Sequence, residues 1–132
     1  NGENPLVVWG NGTAIRDFIF SEDVANAMLE VMQKKIEKPI NIGSGKGVSI
    51  KKLVNTILKN PLIKQKPKIV FDNSKPSGDK KRILDTKLAK SYGIKNKVSL
   101  EEGLARTINW YLKNKHMNKK RFNYFKKNIS KY

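Results

Sequence analysis

The segment Val8-Trp9-Gly10-Asn11-Gly12-Thr13-Ala14-Ile15-Arg16-Asp17-Phe18-Ile19-Phe20-Ser21-Glu22-Asp23-Val24-Ala25 decides how this chain is read. It opens as a strand and turns through Gly10 and Gly12, positions suited to positive φ or to a close approach of backbone. Arg16 stands at the mouth of that turn, just before a second strand predicted at Phe18 to Phe20. Ser21, Glu22 and Asp23 then mark a helix start. A guanidinium so placed is a planar, permanently charged fork that matches phosphate oxygens. The plain structural alternative is an ion pair between Arg16 and a neighbouring carboxylate such as Asp17.

Three more segments follow in order: Ile40-Asn41-Ile42-Gly43-Ser44-Gly45, Ser74-Lys75-Pro76-Ser77-Gly78 and Ser99-Leu100-Glu101-Glu102-Gly103-Leu104. With the opening segment they resemble the extended short-chain dehydrogenase/reductases that act on nucleotide-sugars, the NAD-dependent epimerase/dehydratase family. There a G-x-G-x-x-x-R-[DE]-[FY] segment precedes a D-[VL]-A helix. The Ser-Lys-Pro segment leans toward the GDP-L-fucose synthase branch, and the likeness runs from Leu6 to Leu112.

The resemblance implies an α/β fold, a small C-terminal substrate-binding subdomain whose strands would border or join a Rossmann sheet. That sheet would come from an N-terminal Rossmann portion of the same protein, which is thus an expected partner. Residues 1–112 would be the substrate-binding portion, and residues 113–132 a basic, aromatic-containing tail. The whole enzyme would use NAD(P), bound mainly by the N-terminal portion and not by this chain. Its substrate would be a nucleotide-sugar, with a GDP-sugar favoured. The resemblance also suggests roles for single residues. Trp9 would lie against the nucleotide-sugar, Arg16 would grip a phosphate oxygen, and Lys75 with Arg82 would close from the opposite loop. Many relatives carry a histidine where Phe20 stands, and any contribution it makes there to structure or substrate binding is lost here.

Composition sets outer limits. The 132 residues can hold one compact core, and 38% hydrophobic residues is ordinary for a soluble domain. No apolar run approaches the ~18 residues that span a bilayer, so no membrane partner is expected. The absence of cysteine excludes disulfides and thiolate metal sites; it fits a reducing compartment, and a cytoplasmic location is expected. The start at Asn1-Gly2 leads straight into core-like sequence, which reads as a piece of a longer protein.

The formal charge of +17 raises nucleic acid as a partner. Eight of the 28 basic residues fall in Lys113 to Tyr132, a stretch with no acid, where Phe122, Tyr124 and Phe125 could stack on bases. Elsewhere lysine dominates over arginine, and bidentate base readout favours arginine. Solvated lysine faces are the preferred reading, and nucleic acid is disfavoured.

Two patterns mislead. Gly43-Ser44-Gly45-Lys46-Gly47 follows a short strand predicted at Ile40 to Ile42 and looks like a phosphate loop. It lacks the Gly-Lys-Ser/Thr ending of a P-loop, and Val48 stands where the dinucleotide fingerprint needs its third glycine. It is read as a tight connection, with Ser49 capping the next helix. Tyr111 to Lys115 forms a Y-x-x-x-K, the proton-transfer pair of the resembled family. It follows all the other segments where the family places it before them, so it is rejected. The single histidine, His116, has no acid or thiol cluster near it. Hence no catalytic residue, no cofactor-binding residue and no metal ligand is assigned.

The helices follow from periodicity. Val24, Ala27, Met28, Val31 and Met32 predict a helix from about Val24 to Gln33 with these residues in the core. Pro39 stops any continuation. Ile50, Leu53, Val54, Ile57 and Leu58 predict a second helix, ended by Asn60-Pro61. A β-type run at Ile69 to Phe71 leads into a polar loop from Asp72 to Arg82. A short helix through Leu88 and Tyr92 closes at Gly93. Ser99 and Glu102 form a capping box for the last helix, with Leu100, Leu104, Ile108 and Tyr111 as its buried stripe.

Alone, the piece would expose strand edges and an apolar face, so self-association is expected. Three alternatives remain at this level. They are a nucleotide-sugar 4-epimerase or 4,6-dehydratase fragment, a basic nucleic-acid-binding module, and an assembly domain that kept the fold without the ligand.

Overall fold

The computed structural model describes residues 4–115. The chain runs β1 (Leu6–Trp9), β2 (Ile15–Asp17), α1 (Ser21–Gln33), β3 (Gly47–Ser49), α2 (Ile50–Lys59), β4 (Ile69–Asp72), β5 (Lys81–Arg82), α3 (Lys87–Ser91) and α4 (Leu100–Lys113). The expected readings of His116, Phe122, Tyr124 and Phe125 fall outside the described residues. None of the described helices is long and apolar enough to cross a membrane.

The strands form two small sheets. In one, β1 and β4 pair in parallel with Leu6 opposite Ile69 and Trp9 opposite Asp72. In the other, β2 is central, antiparallel to β3 and parallel to β5. The second strand is therefore Ile15–Asp17 and not Phe18–Phe20, which is irregular. By local propensity Phe18–Phe20 is the better strand, since Asp17 belongs to a type depleted in strands. The pairing is fixed by Val48 and Arg82, distant partners that select the earlier register. Ile40–Ile42 is likewise not a strand. The side chain of Asn41 reaches the Asp85 carbonyl at 3.2 Å, while Ile40 and Ile42 pack on the core.

That core is thin. Ala27, Ala89 and Ile94 are buried, with Val31, Ile36, Ile40, Ile42 and Tyr92 partly buried around them. Helix α1 begins one turn before the expected Val24, with its first backbone bond from the Val24 amide to the Phe20 carbonyl at 3.2 Å. Of its predicted core face, Ala27 is buried but Met28 and Met32 are 58% and 73% exposed. Periodicity identifies an apolar face and says nothing about what covers it. Leu29 on the same helix, Leu6 and Val7 on β1, and Val70 on β4 are exposed as well.

Helix α2 follows its template to Lys59 with Asn60 as its C-cap, and Ser49 Oγ accepts from the Lys52 amide at 3.1 Å. Behind α3 the Gly93 amide bonds the Lys90 carbonyl and the Ile94 amide bonds the Ala89 carbonyl. With Gly93 at φ +79 this is a Schellman ending. In α4 only half of the expected capping box forms. Ser99 Oγ accepts from the Glu102 amide at 3.1 Å, but the Glu102 carboxylate turns to Arg106. Tyr111, expected in the buried stripe, is 49% exposed.

Candidate functional site

The opening turn and the loop after β4 are folded onto each other. Asn11 organises the turn, its side-chain oxygen accepting from the Thr13 amide at 3.0 Å and from the Thr13 hydroxyl at 2.6 Å. Asp72 does the same for the loop, accepting from the Ser74 amide at 3.0 Å and from its hydroxyl at 2.6 Å. The Gly10 amide donates to the Asp72 carbonyl at 2.9 Å and joins the two. A Cβ on Gly10, at φ +77, would stand 2.5 Å from Ser77 Oγ. Glycine is what permits this approach.

The four residues singled out in the sequence fall into two pairs around this junction, Trp9 with Lys75 and Arg16 with Arg82. Arg16 lies within β2, not ahead of a strand, and is half-buried. Its Nη1 donates to the Ile15 and Asp79 carbonyls, both at 2.8 Å. Its Nη2 faces Gly78, where a Cβ would come within 3.3 Å. Lys75 Nζ stands 6.0 Å from the centre of the Trp9 ring, and Trp9 is 65% exposed. Arg82, expected in a loop, lies in β5 with its Cα in register with that of Arg16. Its guanidinium pairs with the Asp79 carboxylate. A largely separate open groove of about 780 Å³ lies between α2 and α4, lined by Lys52, Asn55 and Leu104 among others.

Asp17, the carboxylate beside Arg16 in the sequence, does not pair with it; Arg16 donates to the Ile15 and Asp79 carbonyls. Successive strand residues point to opposite faces, so Asp17 turns away from the arginine. Its carboxylate accepts from the Ser44 and Gly45 amides, both at 2.9 Å, from the Ser44 hydroxyl, and from the Leu84 amide at 3.4 Å. A Cβ on Gly43 would lie 2.9 Å from its Oδ2. One side chain thus ties β2 to the glycine loop and to the stretch before α3. Within the glycine loop the Ser44 and Gly45 amides are directed at Asp17.

Asp23 is a second acid whose use was not legible. It is 5% exposed, and its carboxylate accepts from the Lys97 and Val98 amides at 3.1 and 3.0 Å. Phe20 faces α4, where its ring crowds Gly103 at 3.2 Å from a notional Cβ and lies 5.6 Å from the Arg106 guanidinium. The phenylalanine is used in packing.

Comparisons with known proteins bear on the family and the fold. The sequence profile of the NAD dependent epimerase/dehydratase family matches residues 1–43. The GDP-L-fucose synthase of Escherichia coli K12 is 37% identical over 119 residues, covering 83% of this chain and 36% of the relative. Among solved structures, a GDP-L-fucose synthetase from Naegleria fowleri bound to NADP superposes with a TM-score of 0.73 at 28% identity. That match covers 83% of this chain and 35% of the other. The UDP-glucose 4-epimerase of Thermotoga maritima, solved with UDP-glucose, superposes at 0.67 and 31% identity, again covering 83% of this chain and 35% of the other. The chain spans about a third of the length of the proteins it matches.

Proposed function

Because the chain belongs to the NAD-dependent epimerase/dehydratase family, we propose that it forms the nucleotide-sugar-binding wall of a longer NAD(P)-dependent epimerase or reductase resembling GDP-L-fucose synthase. In this reading residues 1–112 are the substrate-binding portion and residues 113–132 an appended basic tail. A Rossmann portion of the same protein holds the dinucleotide, and this chain alone does not catalyse. The dinucleotide supplies hydride transfer to and from the sugar ring. The residues described here bind and orient the substrate.

The observation that carries the reading is that one loop, the stretch after β4, supplies both Lys75, 6.0 Å from the Trp9 ring, and the Asp79 carbonyl that holds Arg16. Two carbonyls already orient the Arg16 guanidinium through Nη1, while among the described residues Nη2 and Nε donate to none. Those free donors form a fork for one phosphoryl group, and Lys75 supplies a mobile point charge for the second. Trp9 offers its ring to the nucleotide-sugar. Holding the diphosphate at both groups fixes where the sugar sits, and such positioning lowers the barrier for whatever is done to it.

The favoured base is guanine, on the likeness to GDP-L-fucose synthases. Calorimetric titration of GDP-L-fucose into the intact protein is the test. Arg16→Ala should weaken binding about tenfold to a hundredfold, the range for charged hydrogen bonds lost at a phosphate. Deleting residues 113–132 should leave affinity unchanged. Equal affinity of wild type and Arg16→Ala, or steep dependence on the tail, would refute the proposal.

A further inference from the structure

The residue that closes the junction from the loop side is Asp79, and it uses two groups in two ways. Its main-chain carbonyl accepts from Arg16 Nη1 at 2.8 Å. Its carboxylate pairs with the Arg82 guanidinium, in the open, with side-chain exposures of 57% and 73%. Arg16 and Arg82 are register partners on neighbouring parallel strands. Such strands lie about 4.8 Å apart, and partners point to the same face. Two permanent positive charges so arranged repel each other unless an anion stands near them.

We infer that Asp79 acts as an internal counter-anion at this junction, occupying Arg82 until a substrate phosphoryl group displaces it, and so sets the affinity for the diphosphate. This rests on the reading of the site given above. The carbonyl holds Arg16 ready whether or not ligand is present. The carboxylate is a competitor, because a phosphoryl oxygen reaching Arg82 must replace it and must approach its negative charge. Exposure makes that exchange easy, since an ion pair in solvent is weak and is screened by salt. Asp79 thereby trades affinity for release of a charged ligand, with no effect on an uncharged one.

The two functions of Asp79 can be separated. Asp79→Asn keeps the main-chain carbonyl that orients Arg16 and removes only the charge. The intact wild type, Asp79→Asn, Arg82→Ala and the double variant are titrated with GDP-L-fucose and with guanosine, at about 0.05 and 0.5 M salt. Asp79→Asn should bind GDP-L-fucose about twofold to fivefold more tightly at low salt, the range for an exposed pair. The gain should shrink at high salt, vanish in the Arg82→Ala background, and be absent with guanosine. Unchanged or weaker binding of GDP-L-fucose by Asp79→Asn would overturn the inference, as would an equal gain for guanosine. Loss of binding in Arg16→Ala alongside an unaltered Asp79→Asn would remove this inference alone. An Arg16→Ala protein that binds like wild type would remove the reading of the site, and this inference with it.

Discussion

Replacing Asp17 should loosen the scaffold beneath the site more than any other single change on β2. Its Oδ1 serves the Ser44 amide and hydroxyl, and its Oδ2 serves the Gly45 and Leu84 amides. Hydrogen bonds to a charged group contribute about 1.5–3 kcal/mol each when buried. Asp17 is only half-buried, and the Leu84 contact at 3.4 Å is long. Counting the two 2.9 Å amide bonds, and allowing water to reach the vacated donors, Asp17→Ala should cost about 2–4 kcal/mol. In a small domain that lowers Tm by about 8–20 °C. Asparagine should recover little, because one of its ends is an NH2 group that would face amide donors. Urea denaturation of the intact protein followed by circular dichroism measures the loss. Amide exchange at Ser44 and Gly45 locates it, and their protection should fall before that of α2. An Asp17→Asn variant within about 0.5 kcal/mol of wild type, with unaltered protection at Ser44, would show that the carboxylate is incidental.

Three further outcomes follow from the packing. Gly12→Ala should destabilise by about 2–3 kcal/mol in chemical denaturation, because Gly12 has φ +74 and a Cβ would stand 2.4 Å from the Phe71 ring. Lys35 ends α1 with φ +52, a conformation glycine adopts without penalty, so Lys35→Gly should raise stability by about 1 kcal/mol and leave ligand affinity alone. Expressed by itself, the chain should self-associate through the exposed Leu6, Val7 and Val70, which the rest of a longer protein would cover. Sedimentation velocity should then show concentration-dependent species that Val7→Lys with Val70→Lys returns to monomer.

What could be read from the sequence was what short-range chemistry controls. The template of α2 and its Ser49 cap, the positive φ at Gly10, Gly12 and Gly93, and the run beginning at Ile69 each depend on neighbours a few residues away. Register was different. Phe18–Phe20 is the more β-favouring run, and pairing with the distant Val48 and Arg82 nevertheless places the strand at Ile15–Asp17. Met28 and Met32 show the same limit, since helical spacing makes a face apolar without providing a neighbour for it. At the proposed site, Trp9, Arg16, Lys75 and Arg82 are named by the family resemblance, while the contacts that hold them are not. The Asp79 pairing was not, because an acid three residues before an arginine in a loop is commonplace. Asp17 and Asp23 were hidden for a related reason. Each accepts from backbone amides far along the chain, and amides carry no sequence signature.

We propose that Arg16 and Lys75 both hold the diphosphate of a nucleotide-sugar beside Trp9. The most direct measurement is a crystal structure of the intact protein grown with GDP-L-fucose. An Arg16 guanidinium nitrogen should lie about 2.7–2.9 Å from one phosphoryl oxygen, with Lys75 Nζ in similar contact with the other phosphoryl group. A diphosphate bound elsewhere, with Arg16 still turned only to the Ile15 and Asp79 carbonyls, would contradict it.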